Sequence, residues 1–348
     1  MHSFINAHAC SDASITGDTA LNSAKLMTWI VSAAVGAAFS APGAAASIAL
    51  TAEAVNAPNP AAVVTGKSKG ASVLRAQILL DRARFSPGEI DAAYGSNMRR
   101  AVAGFQASNG IEASGSVDAA TWAALDRDTA PALVAYTLSA EDVAGPFIKM
   151  PSDMMEKSKL PALGYTSAVE ALAEKFHASP ALLTQLNPGK DFTRSGEQII
   201  APSVESAAPM PAVAKVVVDR SEFTVSLLDA ADKVVAQYPA STGSEHDPLP
   251  VGEWKIQGVS TNPTFNYNPD LFWDANPAHA KATIPAGPNN PVGVVWVDLS
   301  KEHYGIHGTP EPSKIGKTES HGCIRMTNWS ALAMSTSVKP GMSAILQD

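Results

Sequence analysis

The sequence predicts a multidomain chain: an N-terminal three-helix bundle, a βααβ module and a C-terminal mainly-β, sandwich-like domain. Three observations predict it. Between residues 72 and 125 apolar side chains recur at helical spacing. Between 133 and 204 a capping box and a proline-initiated helix sit between two runs fit for strands. From Lys215 onward the period changes to two, with Gly, Pro, Asn and Asp at the turns. The chain has 348 residues, 45% hydrophobic and 17% charged, which is long and apolar enough for two or three folded units. A net charge of −8 gives no basic footprint, so nucleic acid is not an expected partner.

Residues 26–39 are apolar, follow Lys25 and run into the small-residue stretch 40–46. This is the pattern of a secretory leader, with Ala44 and Ala46 as one candidate cleavage pair; residues 1–46 are therefore expected to be removed on export to the periplasm or cell envelope. An uncleaved anchor is the alternative for a stretch this apolar. Of the two cysteines, Cys10 and Cys323, only Cys323 would remain in the mature chain. A lone cysteine in an oxidising compartment is either a small buried hydrophobe or a nucleophile. Residues 47–70, rich in Ala, Pro, Asn and Gly, read as a linker.

In the first folded unit, 71–128, Met98, Ala101, Val102 and Phe105 make one helical face closed by Gly110. A further helix begins at Asp118 and buries Trp122 and Leu125. Gln77, Leu80, Phe85, Ser86, Pro87, Gly88, Asp91, Gly95, Phe105, Gln106, Gly110, Gly115, Asp118 and Trp122 together resemble the three-helix peptidoglycan-binding domain. Ala92 stands where that family usually has glycine.

In the second unit, 133–204, Ser167 and Glu170 form a capping box, and Val169, Leu172, Ala173 and Phe176 line one face of the helix it opens. A second helix starts at Ser179 and Pro180 and ends near Asn187 and Gly189. With Leu186, Asn187, Pro188 and the run 196–202, this order resembles a LysM glycan-binding module, interrupted by an insertion at 143–163. A second linker is read at 205–212.

Across 213–348 short strands are predicted at 215–219, 222–228, 234–238, 252–258, 292–298, 305–307 and 344–346, with one short helix around 329–334. The stretch 305–326 carries the chemistry. A thiol attacks carbonyls as its thiolate, and an imidazole is the usual activator; His307 and His321 are the available bases for Cys323. Gly308 and Gly322 permit close approach and unusual backbone angles, and N–H groups around Gly322 and Cys323 could face an oxyanion. His303, His307, His321 and Cys323 could also supply four zinc ligands, but Gly305 and Gly308 argue against a helix presenting His303 and His307 together, so no metal or cofactor is expected.

His307 followed at moderate distance by Ser320, His321, Gly322 and Cys323 closely resembles the signature of L,D-transpeptidases of the YkuD family. The resemblance extends through Ser241, Thr242, Gly243, Pro250, Gly252, Trp254, residues 285–293 and Thr327, Asn328 and Trp329. It implies Cys323 as nucleophile, His307 as general base and later acid, Arg325 as a contact for a substrate carboxylate or an organiser of the cleft, and His321, Ser320, Gly322 and Gly308 as loop and oxyanion support. It also implies a peptidoglycan tetrapeptide stem as donor and an amine as acceptor, the latter from a second stem, a D-amino acid or an envelope protein. Acylation by carbapenems follows from the same resemblance. The competing reading, a non-catalytic wall-binding scaffold, needs neither Cys323 nor His307.

Overall fold

In the computed structural model, residues 50–58, 61–206 and 208–348 are described. The leader assigned to 1–46, with its cleavage pair and Cys10, lies outside them. Among the described residues no helix is long and apolar enough to cross a membrane.

The stretch read as a linker contains a helix, α1 (Ala52–Asn56), whose N-terminus is capped by the Thr51 hydroxyl. Its Val55 is fully buried, and the Asn56 carboxamide accepts from the Leu133 amide and donates to the Leu133 carbonyl at 2.8 and 2.9 Å. Composition hid this helix because one buried valine and one bridging asparagine suffice to dock it. Val55→Ala is expected to cost about 2 kcal/mol, two methyl groups leaving a packed site, and to lower the urea midpoint accordingly. An unchanged midpoint would mean that α1 is not docked.

Three helices follow: α2 (Ala71–Arg82), α3 (Ser96–Ser108) and α4 (Ala119–Leu125). Their shared core holds Leu79, Leu80, Phe85, Met98, Val102, Phe105 and Trp122. Gly110 adopts φ +69° just past α3, and the amide of Ile111 reaches back to the Gln106 carbonyl, closing the helix as its sequence predicts. Ala92 takes φ +60°, a conformation that suits glycine. The Gln77 side-chain oxygen holds it there by accepting from the Ala92 amide at 2.8 Å.

Strand β1 (Leu133–Thr137) and the short helix α5 (Met154–Lys157) precede α6 (Ala168–Lys175), α7 (Pro180–Leu186) and β2 (Gln198–Pro202). β1 and β2 pair antiparallel. Ser167 caps α6 by accepting from the Glu170 amide, and Ser179 caps α7 in the same way from Leu182. This unit shares a core with its predecessor: Leu74 and Ile78 of α2 pack with Leu133, Leu182 and Leu186. Arg82, also buried on α2, is paired with Asp128 at 2.8 Å.

The C-terminal domain contains β3 (Lys215–Asp219), β4 (Thr224–Leu228), β5 (Val234–Pro239), β6 (Gly252–Thr261), β7 (Phe265–Tyr267), β8 (Ala282–Ile284), β9 (Val295–Leu299), β10 (Gly305–His307), β11 (Ile324–Arg325), α8 (Asn328–Ser335) and β12 (Ser343–Gln347). β4 begins two residues later than alternation suggests. Phe223 has φ +52° and sits in the preceding turn, under the Arg100 guanidinium at 4.8 Å.

The domain is mainly β, but in place of two separate sheets there is one curled sheet of eight strands, ordered β11-β10-β9-β6-β12-β3-β4-β5. β6 is the reason. Its first half pairs with β12 and its second half with β9, with a register shift between Ile256 and Gly258. The two halves of the sheet and α8 enclose one core that includes Val216, Val225, Leu227, Val297, Ile306, Ile324 and Met334. β7 and β8 form a separate hairpin, which lies over the edge that carries β9 to β11.

The helical unit docks directly on this domain. The Asn97 carboxamide on α3 donates to the Ile315 carbonyl at 2.7 Å, and Ser86 and Gln237 join backbone to backbone.

Candidate active site

Strand register determines which side chains meet. β10 lies between β9 and β11; His307 is opposite Trp296 on one side and Arg325 on the other. Side chains alternate along a strand, so Ile306 and Ile324 enter the domain core, while His307, Arg325, Trp296 and Cys323 face the opposite side. The cluster on that side joins Cys323 to Trp296, Phe265, Tyr267, Phe272 and Leu163, so the β7–β8 hairpin and the middle unit's insertion share a core with Cys323.

His307 is fully buried. Its ring stacks on Trp296 with centroids 5.5 Å apart and planes 20° from parallel. Nδ1 lies 2.6 Å from the Gly308 carbonyl oxygen. A carbonyl only accepts, so Nδ1 carries the proton and Nε2 presents its lone pair. Nε2 is buried and makes no hydrogen bond among the described residues. Burial pushes the imidazole pKa down to about 4, so the ring is neutral and basic at Nε2 near neutral pH.

The turn before β11 presents Cys323. The Ser320 hydroxyl donates to the Cys323 carbonyl at 2.6 Å, tying the turn to its own end. Gly322 has φ +99°, and a Cβ there would lie 2.9 Å from the Tyr304 ring. His321 is buried, with Nε2 3.1 Å from the Asp274 carboxylate and its ring edge-on to Phe272. The Cys323 sulfur lies 3.6 Å from the His303 carbonyl oxygen. In the structure Cys323 is disulfide-bonded, where the sequence leads one to expect a lone thiol. A nucleophilic role requires the reduced sulfur.

Arg325 is buried, and loss of hydration lowers its pKa to about 10. Its Nη2 donates to the Thr318 hydroxyl at 3.1 Å and to the Glu319 carbonyl, so it grips the loop leading to Cys323. The Ser241 and Arg325 main chains exchange two hydrogen bonds of 2.9 Å, fixing the far edge of β11. Among the described residues no three His, Cys, Asp or Glu side chains are grouped to hold a metal ion.

Four contributors are absent from the sequence reading as site residues. Trp296 supports the imidazole, Asp274 holds His321, and Tyr304 packs on Gly322. The fourth, Asn328, was visible only as part of a motif. Its Oδ1 accepts from the Val294 and Thr309 amides at 3.2 and 3.1 Å, in a space left by Gly293 and Gly308, where a Cβ would lie 2.0 and 2.1 Å away.

Residues 214–346 match the L,D-transpeptidase catalytic domain YkuD, and residues 69–125 match the model described as "Putative peptidoglycan binding domain". The Bacillus licheniformis protein named "Putative L,D-transpeptidase YkuD" is 31% identical over 50% of this chain and 89% of its own length. Its Bacillus subtilis namesake is 30% identical over 50% of this chain and 89% of its own length. The solved L,D-transpeptidase from Xylanimonas cellulosilytica aligns at 17% identity and a TM-score of 0.35, covering 83% of this chain and 99% of that one. With a relative above 30% identity matched over most of its length, the chain belongs to the YkuD family of L,D-transpeptidases.

Proposed function

We propose that Cys323 is the nucleophile and His307 the general base of this L,D-transpeptidase. The observation that carries the assignment is the buried, unpartnered Nε2 of His307 on the same sheet face as Cys323. An unsatisfied buried acceptor costs stability, which a mechanism that needs a proton acceptor there would explain.

In the reaction, the Cys323 thiol gives its proton to Nε2 and its sulfur attacks the carbonyl carbon of the third residue of a tetrapeptide stem. The tetrahedral adduct collapses, the C–N bond to the terminal D-alanine breaks, and the imidazolium protonates the departing amine. A thioester remains. An amine then attacks it, His307 takes the amine proton, and the sulfur leaves with a proton returned from Nε2. Stabilisation of the oxyanion is assigned to main-chain N–H groups at Gly322 and Cys323, held by the Ser320 turn and by His321 on Asp274. Arg325 is assigned the organiser's role, since its guanidinium already binds the loop at 318–319.

The acceptor is an amine from a second stem, a D-amino acid or an envelope protein. The helical unit supports a place on peptidoglycan, where tethering raises the local concentration of stems. The middle unit is read as LysM-like from β1, α6, α7 and β2, with α5 lying in the insertion between β1 and α6, and the leader pattern supports action after export, in the periplasm or cell envelope. The test is incubation of the full chain with a tetrapeptide donor and an amine acceptor. The expected products are free D-alanine and a new amide joining stem to acceptor; no D-alanine release would overturn the reading.

The imidazole environment sets the pH dependence. A histidine pKa held at about 4 keeps the base available well below its ordinary 6.5. Acylation of Cys323 by a carbapenem is expected to keep its rate down to about pH 5, with an acid limb near 4. A limb near 6.5 would contradict a neutral, desolvated His307. Folding has a related dependence: the unfolded chain binds this proton below about 6.5 and the folded one does not, so stability falls as pH drops from there toward 4.

A further inference from the structure

We propose that Glu174, on α6 of the middle unit, is a positioning residue for His307, acting through Asn328 and the Gly308–Thr309 peptide. That peptide group is gripped at both ends. Its oxygen accepts a hydrogen bond from His307 Nδ1–H at 2.6 Å, and its N–H donates to Asn328 Oδ1 at 3.1 Å. The direction in which the peptide points decides whether Nδ1 has an acceptor, and hence whether Nε2 carries the lone pair.

Asn328 can serve only in one orientation. Its Oδ1 accepts two amide protons, from Val294 and Thr309, and its Nδ2 donates to both oxygens of Glu174 at 3.1 Å and to the Pro288 carbonyl at 3.1 Å. With the carboxamide turned over, the NH2 would face two N–H donors and the carbonyl would face the carboxylate, so Glu174 holds it the right way round. Gly308 and Gly293 leave room for Oδ1 alone. Glu174 is itself fixed, Oε1 accepting from the Tyr165 hydroxyl at 3.1 Å. Burial pushes its pKa up to about 7, with Glu170 and His177 as the other titratable neighbours. The contact therefore draws a partly desolvated carboxyl group from one unit into the catalytic domain of another.

The inference rests on His307 as the base, and a double-mutant cycle separates the two. The full chain is prepared as wild type, Glu174→Ala, Glu174→Gln, His307→Gln and Glu174→Ala with His307→Gln, and the rate of acylation by imipenem is followed by intact mass. Glu174→Ala is expected to slow acylation about ten-fold, the scale of a misplaced base. Glu174→Gln, which keeps one acceptor for Asn328, recovers to within about three-fold of wild type. In the His307→Gln background Glu174→Ala has no further effect, because the group it positions is gone. A ten-fold loss that persists in that background would overturn the proposal and show that Glu174 acts only by docking the two units. So would wild-type acylation by Glu174→Ala, or a Glu174→Gln chain as slow as Glu174→Ala. A His307→Gln chain that acylates at the wild-type rate would overturn the assignment of the base itself, and with it this inference.

Discussion

Cys323→Ala is expected to abolish transpeptidation and to leave no carbapenem adduct on the chain. The effect is total because no other group in the site can replace the sulfur. The apolar side chains clustered with it, Trp296, Phe265, Tyr267, Phe272 and Leu163, carry no comparable nucleophile, and His307 on the same face is assigned as the base. Removing the sulfur leaves a small void and no carbon-attacking atom. Compared with the reduced wild-type chain, the fold should survive, since one sulfur is a modest loss from a cluster this large. Unchanged secondary structure with zero turnover is the expected pair of results, and residual turnover above a few per cent would point to another nucleophile.

The second large effect concerns the two histidines of the motif. His307→Gln is expected to slow acylation by about 10²–10⁴-fold, the range for loss of a general base. His321→Ala should cost far less, about ten-fold, through loosening of the turn. The difference follows from their surroundings. His307 keeps an unengaged, buried Nε2, whereas His321 has its Nε2 on Asp274. An imidazole nitrogen already committed to a carboxylate is poorly placed to take a thiol proton. Acylation rates of the two variants, measured side by side, check the order; the reverse order would exchange their roles.

Much of this site can be read from the sequence because its parts are local. The positions of His307, Gly308, Ser320, Gly322 and Cys323 are carried by one stretch of chain, and strand 305–307 is predicted to the residue. Capping at Ser167 and Ser179 is likewise local chemistry and is found where the spacing places it. What supports the site is not local. Trp296 lies under His307 only because β9 and β10 pair in one register, and alternation along a single strand does not reveal register. Asp274 reaches His321 from the loop of a hairpin, and Glu174 reaches Asn328 across two units and 154 residues. No periodicity in either segment signals such contacts. α1 is illegible for a related reason: its helix is only five residues long and is stabilised by docking. The sheet departs from two separate layers because of one register shift in β6, and a bulge has no reliable sequence mark there.

The close docking of the three units also changes how the first two are understood. The helical unit places Asn97 on the Ile315 carbonyl, inside the loop that joins His307 to Cys323, and a Cβ at Gly316 would lie 2.2 Å from Asn97 Oδ1. A tether alone would need no such fit. These contacts make the helical unit part of the framework that holds this loop.

The measurement that tests the central claim most directly is a map of the acyl-enzyme formed from a tetrapeptide donor in the absence of acceptor. Wild-type chain is quenched in acid, digested and sequenced by mass spectrometry. The account predicts a tripeptide acyl group, lacking the terminal D-alanine, on the peptide containing Cys323, and its loss on treatment with hydroxylamine, as a thioester requires. Release of D-alanine with the acyl group on any other residue, or the same adduct on the Cys323→Ala chain, would contradict it.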